Sequence, residues 1–88
     1  MFHYEYKTQN VCSQLIKLDL DGDTVRNVIF IGGCNGNLKA IGKLVEGMKA
    51  DQLVKLLRGN TCGGKNTSCA DQLAIAVQQA CEAQNINV

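Results

Sequence analysis

Five cysteines, Cys12, Cys34, Cys62, Cys69 and Cys81, are the residues of this chain most suited to chemistry. An odd number cannot pair completely within one chain. In a reducing compartment the expectation is thiols, metal ligands or redox groups rather than a disulfide framework. Cys69 falls at the start of a helix read from the spacing below, and a helix start favours a thiolate. Cys62 lies seven residues earlier, in a loop able to fold back. Cys34 precedes a second helix start and Cys12 precedes a strand. If those ends meet in space, Cys12, Cys34, Cys62 and Cys69 form a candidate site for zinc or an iron–sulfur cluster. A redox thiol pair is a second use of them, and thiols without chemistry a third. The chain lacks the Cys-x2-Cys pair that usually marks such sites. Cys81 lies on the apolar face of the last helix and reads as core.

The segment Gly32-Gly33-Cys34-Asn35-Gly36-Asn37 lies between an expected strand and an expected helix. Glycines there let backbone amides approach a ligand, and a helix N-terminus favours an anion. A phosphate or carboxylate could dock on Gly33, Cys34, Asn35, Gly36 and Asn37, with Cys69 and Asp71 contributing from the other helix start. The plainer reading is a tight turn that needs positive φ. Gly59-x4-Gly64-Lys65 has the outline of a nucleotide phosphate loop. It fails because Asn66 stands where Ser or Thr must bind magnesium, and because it follows a helix.

His3, the single histidine, alternates onto the polar face of the first strand and reads as an exposed residue rather than a catalyst. Asp19, Asp21 and Asp23 resemble the start of a calcium loop. The twelfth position, which requires a bidentate glutamate, is Phe30.

The elements that must position these residues follow from periodicity. Phe2, Tyr4 and Tyr6 alternate with His3, Glu5 and Lys7, a strand pattern. Ile16, Leu18 and Leu20 repeat it, and Asp21-Gly22-Asp23 is a turn signal. Val25 to Ile31 is the third strand. Its centre, Val28-Ile29-Phe30-Ile31, is apolar throughout, which predicts the most buried strand of the sheet. Leu38, Ile41, Val45 and Met48 recur at helical spacing, with Leu44 widening the stripe, Asn35 or Asn37 able to cap the start and Gly47 near the end. Leu53, Val54, Leu56 and Leu57 mark a short second helix, with Asp51 in its first turn and Arg58-Gly59 at its stop. Ser68 to Asp71 has the spacing of a capping box. The third helix then places Ala70, Leu73, Ala74, Val77, Ala80 and Cys81 on one face and is expected to end near Asn85. The fold class is therefore α+β: a three-stranded antiparallel sheet followed by three helices packed on one face.

Eighty-eight residues make one domain, 1–88. An apolar fraction of 45% excludes global disorder. A net charge of +1 with interleaved signs argues against nucleic acid or an anionic membrane as partner. The longest apolar run, Leu73 to Val77, is far short of the roughly 18 residues that span a bilayer. No signal peptide is evident, so the expected location is cytoplasmic.

Taken together, Cys12-Ser13, Asp21-Gly22-Asp23, Gly32 to Leu38, Leu44 to Met48, Leu57-Arg58-Gly59, Cys62 and Thr67-Ser68-Cys69-Ala70-Asp71-Gln72-Leu73-Ala74 resemble the TSCPD family over roughly residues 8 to 82. The family's Thr-Ser-Cys-Pro-Asp motif has Ala70 at its fourth position here. Proline is tolerated in a first helical turn, so alanine keeps the fold. Related domains occur at the C-terminal end of adenosylcobalamin-dependent ribonucleotide reductases and as short free-standing proteins. The resemblance implies an accessory or ligand-binding module associated with ribonucleotide reductase and DNA synthesis. Its implied partners are that enzyme or a small anionic ligand such as a nucleotide. It does not imply catalysis by this chain alone, because no barrel is present to hold cobalamin and substrate. Two other readings stand beside it: a cysteine-based metal or thiol-redox protein, and a structural homodimer that pairs its sheet edges.

Overall fold

The computed structural model describes residues 1–9, 11, 13–33, 35–60 and 67–84. The chain runs β1 (Phe2–Lys7), β2 (Leu15–Asp21), β3 (Thr24–Ile31), α1 (Asn35–Val45), α2 (Ala50–Leu57) and α3 (Cys69–Ala83). This is the α+β order expected from the periodicity. The sheet is antiparallel in the order β1-β2-β3, so β2 is central.

One face of the sheet carries the core. Ile16, Leu18 and Leu20 of β2 are at most 1% exposed. They pack with Val25, Val45, Ala50, Leu53 and the α3 residues Leu73, Ala74, Ala76, Val77, Ala80 and Cys81, all buried. Phe2, Tyr4 and Tyr6 alternate inward from β1 and are half-buried against the same cluster. The small residues of α3 allow close approach to both the sheet and α2. Tyr4 keeps its hydroxyl satisfied by donating to Gln79 Oε1 at 3.0 Å.

The third strand, expected to be the most buried of the sheet, is not: β2 is. β3 differs in two ways. It is an edge strand, and Ile29 and Ile31 are 53% and 41% exposed. The reason is a β-bulge. The register shifts between Lys17 and Asp19 opposite Asn27, which takes φ 55°. Asparagine is among the residues that tolerate this left-handed conformation best. The inserted residue turns the alternation over. Val25, Val28 and Phe30 face the core, while Ile29 and Ile31 face outward. Lys17 and Leu15 of β2 pair with Ile29 and Ile31.

The free edge of β3 is covered by the chain that follows α1. Val25 N–H donates to the Met48 carbonyl (2.9 Å), Gly47 N–H to the Val25 carbonyl (2.8 Å) and Ala50 N–H to the Asp23 carbonyl (2.8 Å). A bridge pairs Thr24 with Lys49. Further along, Asn27 N–H donates to Glu46 Oε1 at 2.8 Å. A Cβ on Gly42 would stand 2.9 Å from the Val28 carbonyl oxygen, so α1 lies against the strand only because that residue is glycine.

Several helix details differ from the periodic reading. Leu44 and Leu56 are 76% and 61% exposed, because each lies beyond the stripe its helix buries, α1 against β3 and α2 against α3. Helix α1 begins at Asn35, so Asn37 lies inside its first turn rather than capping it. Helix α3 ends at Ala83 with Gln84 as its cap, earlier than Asn85, which lies outside the described residues. Helix α2 ends at Leu57 with Arg58 as its cap, and Gly59 follows with φ +85°, the left-handed stop expected of it. No helix among the described residues is long and apolar enough to cross a membrane.

Candidate functional site at the start of helix α3

Helix α3 opens on Ser68, whose extended backbone and side-chain oxygen cap the helix by accepting from Asp71 N–H at 3.1 Å. Half of the expected capping box is thus present. The Asp71 carboxylate is engaged elsewhere. It accepts from the Thr67 hydroxyl (2.5 Å), from Gly59 N–H (2.6 Å) and from Arg58 Nη1 (2.9 Å). The side chain is 3% exposed, whereas Arg58 is 52% exposed. Burial alone would raise the Asp71 carboxyl. The hydrogen bonds from Thr67, Gly59 and Arg58, with the Arg58 charge, outweigh burial and hold it below the usual carboxylate value.

This carboxylate ties the end of α2 to the start of α3. Other bonds extend the knot. Ser68 donates its hydroxyl to the Asn60 carbonyl. Gln72 donates to Thr67 Oγ1 at 3.0 Å and accepts from Gln9 N–H at 3.0 Å. Thr8 donates its hydroxyl to the Ser13 carbonyl. Buried side-chain nitrogen and oxygen atoms all find partners among the described residues. Three donors and burial of the side chain to 3% exposure leave Asp71 little room for a further ligand contact.

Cys69 is the first residue of α3 and is partly exposed. Its sulfur lies 3.3 Å from the Ser13 hydroxyl, and Ser13 is 2% exposed. The next residue, Gln14, donates its N–H to the Ile31 carbonyl at 2.7 Å. A Cβ on Gly32 would stand 3.3 Å from the Gln14 side chain. The start of α3, residues 8, 9, 13 and 14, and the end of β3 therefore meet at one pole of the fold. Asn60, the last described residue before the 61–66 segment, is bonded there too.

Of the residues singled out from sequence, Cys12, Cys34 and Cys62 lie outside the described residues. Among the described residues no three His, Cys, Asp or Glu side chains form a metal-binding group. Gly33 has φ +83° and is exposed, and Gly36 and Asn37 are exposed in the first turn of α1, which Asn35 opens. Cys69 and Asp71 share the start of α3. Cys81 is 0% exposed, as expected of a core thiol, and burial pushes that thiol up. Sequence reasoning missed Ser13, Thr67, Gln72 and Arg58 as partners of this pole. Thr67 alone had a signal, its position four residues before Asp71.

A second polar cluster lies on the outer face of the sheet. His3 Nδ1 meets Asp19 Oδ1 at 2.8 Å and His3 Nε2 meets Glu5 Oε2 at 2.9 Å. Both ring nitrogens face carboxylates, which favours the doubly protonated imidazolium. Hydrogen bonds first to Glu5 and then to Asp19 raise the His3 pKa above 6.5. The bond to His3 lowers Glu5, and bonds to Asn27 and then His3 lower Asp19. The raised histidine stabilises the fold fully below pH 6.5, and that contribution is lost as pH rises through its higher folded value. The lowered carboxylates stabilise above their ordinary values of 4.5 and 3.8 and lose this as pH falls through their folded values. The cluster is therefore strongest between those limits. Melting temperatures of wild type and His3→Ala should converge as pH rises above the histidine's range. A constant difference from mildly acidic to alkaline pH would show that the cluster does not titrate in this way.

The fold and this pole define a small α+β domain with a thiol at a capped helix start. Residues 3–81 match the TSCPD domain model, and the chain belongs to the TSCPD family. No curated protein and no solved structure matches the chain.

Proposed function

We propose that this domain is a binding module whose thiols hold a soft metal ion, zinc being the best fit, at the pole where α3 begins. The observation that carries this reading is the 3.3 Å contact between Cys69 Sγ and the Ser13 hydroxyl. It brings the neighbour of Cys12 in the chain against Cys69. Gly32 against Gln14 brings the stretch leading to Cys34 to the same pole. Asn60, two residues before Cys62, is bonded to Ser68. Each candidate ligand is thus Cys69 itself or a near neighbour in sequence of a residue at this pole. Four thiolates suit tetrahedral zinc, which closes a structural site and contributes folding energy. The family resemblance gives the module its setting, an accessory role beside ribonucleotide reductase. In that setting the glycine-rich start of α1, Gly33 to Asn37, would offer amides to a small anion such as a nucleotide.

The test is native mass spectrometry on protein purified without oxygen or chelator. One bound zinc is expected in wild type and in Cys81→Ser, whose sulfur is in the core. Cys69→Ser is expected to lose the metal. A wild-type chain that stays bare when zinc is added under reducing conditions, or a Cys69→Ser variant that keeps its zinc, overturns the reading.

A further inference from the structure

The groove between β3 and α1 lies on a different part of the molecule. It encloses about 420 Å³, within the roughly 300–1,000 Å³ typical of small-molecule sites. Its walls are Val28, Ile29 and Phe30 of the strand and Leu38 and Gly42 of the helix. Val28 and Phe30 face the core side of the sheet yet are only half-buried, and Ile29 is exposed.

The charges around the groove are unequal. Lys39 and Lys43, one helical turn apart on α1, line it and are exposed, and no ion pair engages either among the described residues. The single acid in the lining, Glu46, is held by Arg26 Nη1 at 3.3 Å and by Asn27 N–H at 2.8 Å. Lys17 stands beside Ile29 in the sheet and has only a 4.0 Å approach to Glu5. The rim therefore presents two unneutralised cations beside an apolar trough. A second copy docked groove to groove about a two-fold axis would bring together two rims of the same net positive charge, which electrostatics opposes.

We propose that this groove binds a small amphipathic anion: an apolar body seated on Val28, Phe30 and Leu38 beside the strand backbone at Ile29, with one carboxylate, sulfonate or phosphate held by Lys39 and Lys43. The apolar body supplies the contact area and the lysines select the sign of the head group. This selection weakens as salt screens the exposed charges.

Anilinonaphthalene sulfonate is the first probe and decanoate the second. Titration of the native protein should give saturable one-to-one fluorescence enhancement, displaced by decanoate and much less by neutral decanol. Decanoate should shift the amide resonances of Ile29, Lys39 and Gly42. The double variant Lys39→Glu, Lys43→Glu should weaken both probes by about tenfold or more, a difference of about 1.4 kcal/mol per tenfold. Lys39→Gln, Lys43→Gln serves if charge reversal perturbs the fold, as read by circular dichroism. Equal displacement by decanoate and decanol, or undiminished affinity in the folded lysine variants, overturns the proposal. So do amide shifts confined to the start of α3, or no shifts at millimolar decanoate. Protein-concentration-dependent shifts at Ile29 and Leu44 without ligand would assign the surface to a second copy instead.

Discussion

Asp71→Ala is expected to destabilise the domain by about 2–3 kcal/mol, the cost of taking a buried acceptor away from its donors. The magnitude comes from what is left behind. Thr67, Gly59 N–H and the Arg58 guanidinium all lose their acceptor. Arg58 is 52% exposed and finds water, so its share is small. The Thr67 hydroxyl carries most of the loss, because Thr67 is buried and a donor stranded away from water costs roughly 1–3 kcal/mol, whereas Gly59 is exposed. Domains of this size are stable by about 5–15 kcal/mol in total. A loss of 3 kcal/mol should lower the melting temperature by roughly 12–24 °C.

The pH dependence separates this mechanism from simple loss of packing. The Asp71 carboxyl is held below its ordinary 3.8 in the folded state. Its contribution is thus present above that value and disappears as pH falls through the lower folded value. Wild type should lose stability at acid pH more steeply than Asp71→Asn, which has no charge to titrate. Chemical denaturation at several pH values measures this. Equal acid slopes in the two proteins would show that the carboxylate's charge contributes little, even if the alanine variant is unstable.

The second large effect concerns which strand carries the core. Leu18→Ala, on the central strand, is expected to cost about 2–5 kcal/mol, from lost burial and the cavity that remains. Ile29→Ala, on the edge strand, is expected to change stability by no more than about 0.5 kcal/mol, as for a surface position. Leu18 is 0% exposed and Ile29 is 53% exposed. Urea denaturation of the two variants decides the matter. Comparable losses would mean that the outer face of β3 is covered in solution, which points to self-association through that face.

These two positions also show how far the amino-acid order reaches. Strand and helix identities, the Gly22 hairpin, the Ser68 cap, the Gly59 stop and the buried face of α3 were all legible from local spacing. Each depends on contacts within a few residues, or on a period of two or 3.6. The same holds for Cys81 as a core thiol.

Position within the sheet was not legible in this way. The run Val28-Ile29-Phe30-Ile31 reads as a strand buried on both faces, but the bulge at Asn27 and the edge location leave one face open. A residue between two strands becomes a bulge through the register of its partner, and no local pattern states that register. Asp71 is a similar case. Its spacing from Ser68 signals a capping box, yet its oxygens bond to Thr67, Gly59 and Arg58. Local spacing thus determined the elements and the polar residues at their ends. Tertiary structure decided which ends meet, because contacts such as Ser13 with Cys69, 56 residues apart, exist only once the sheet has aligned its strands and α3 has packed across them.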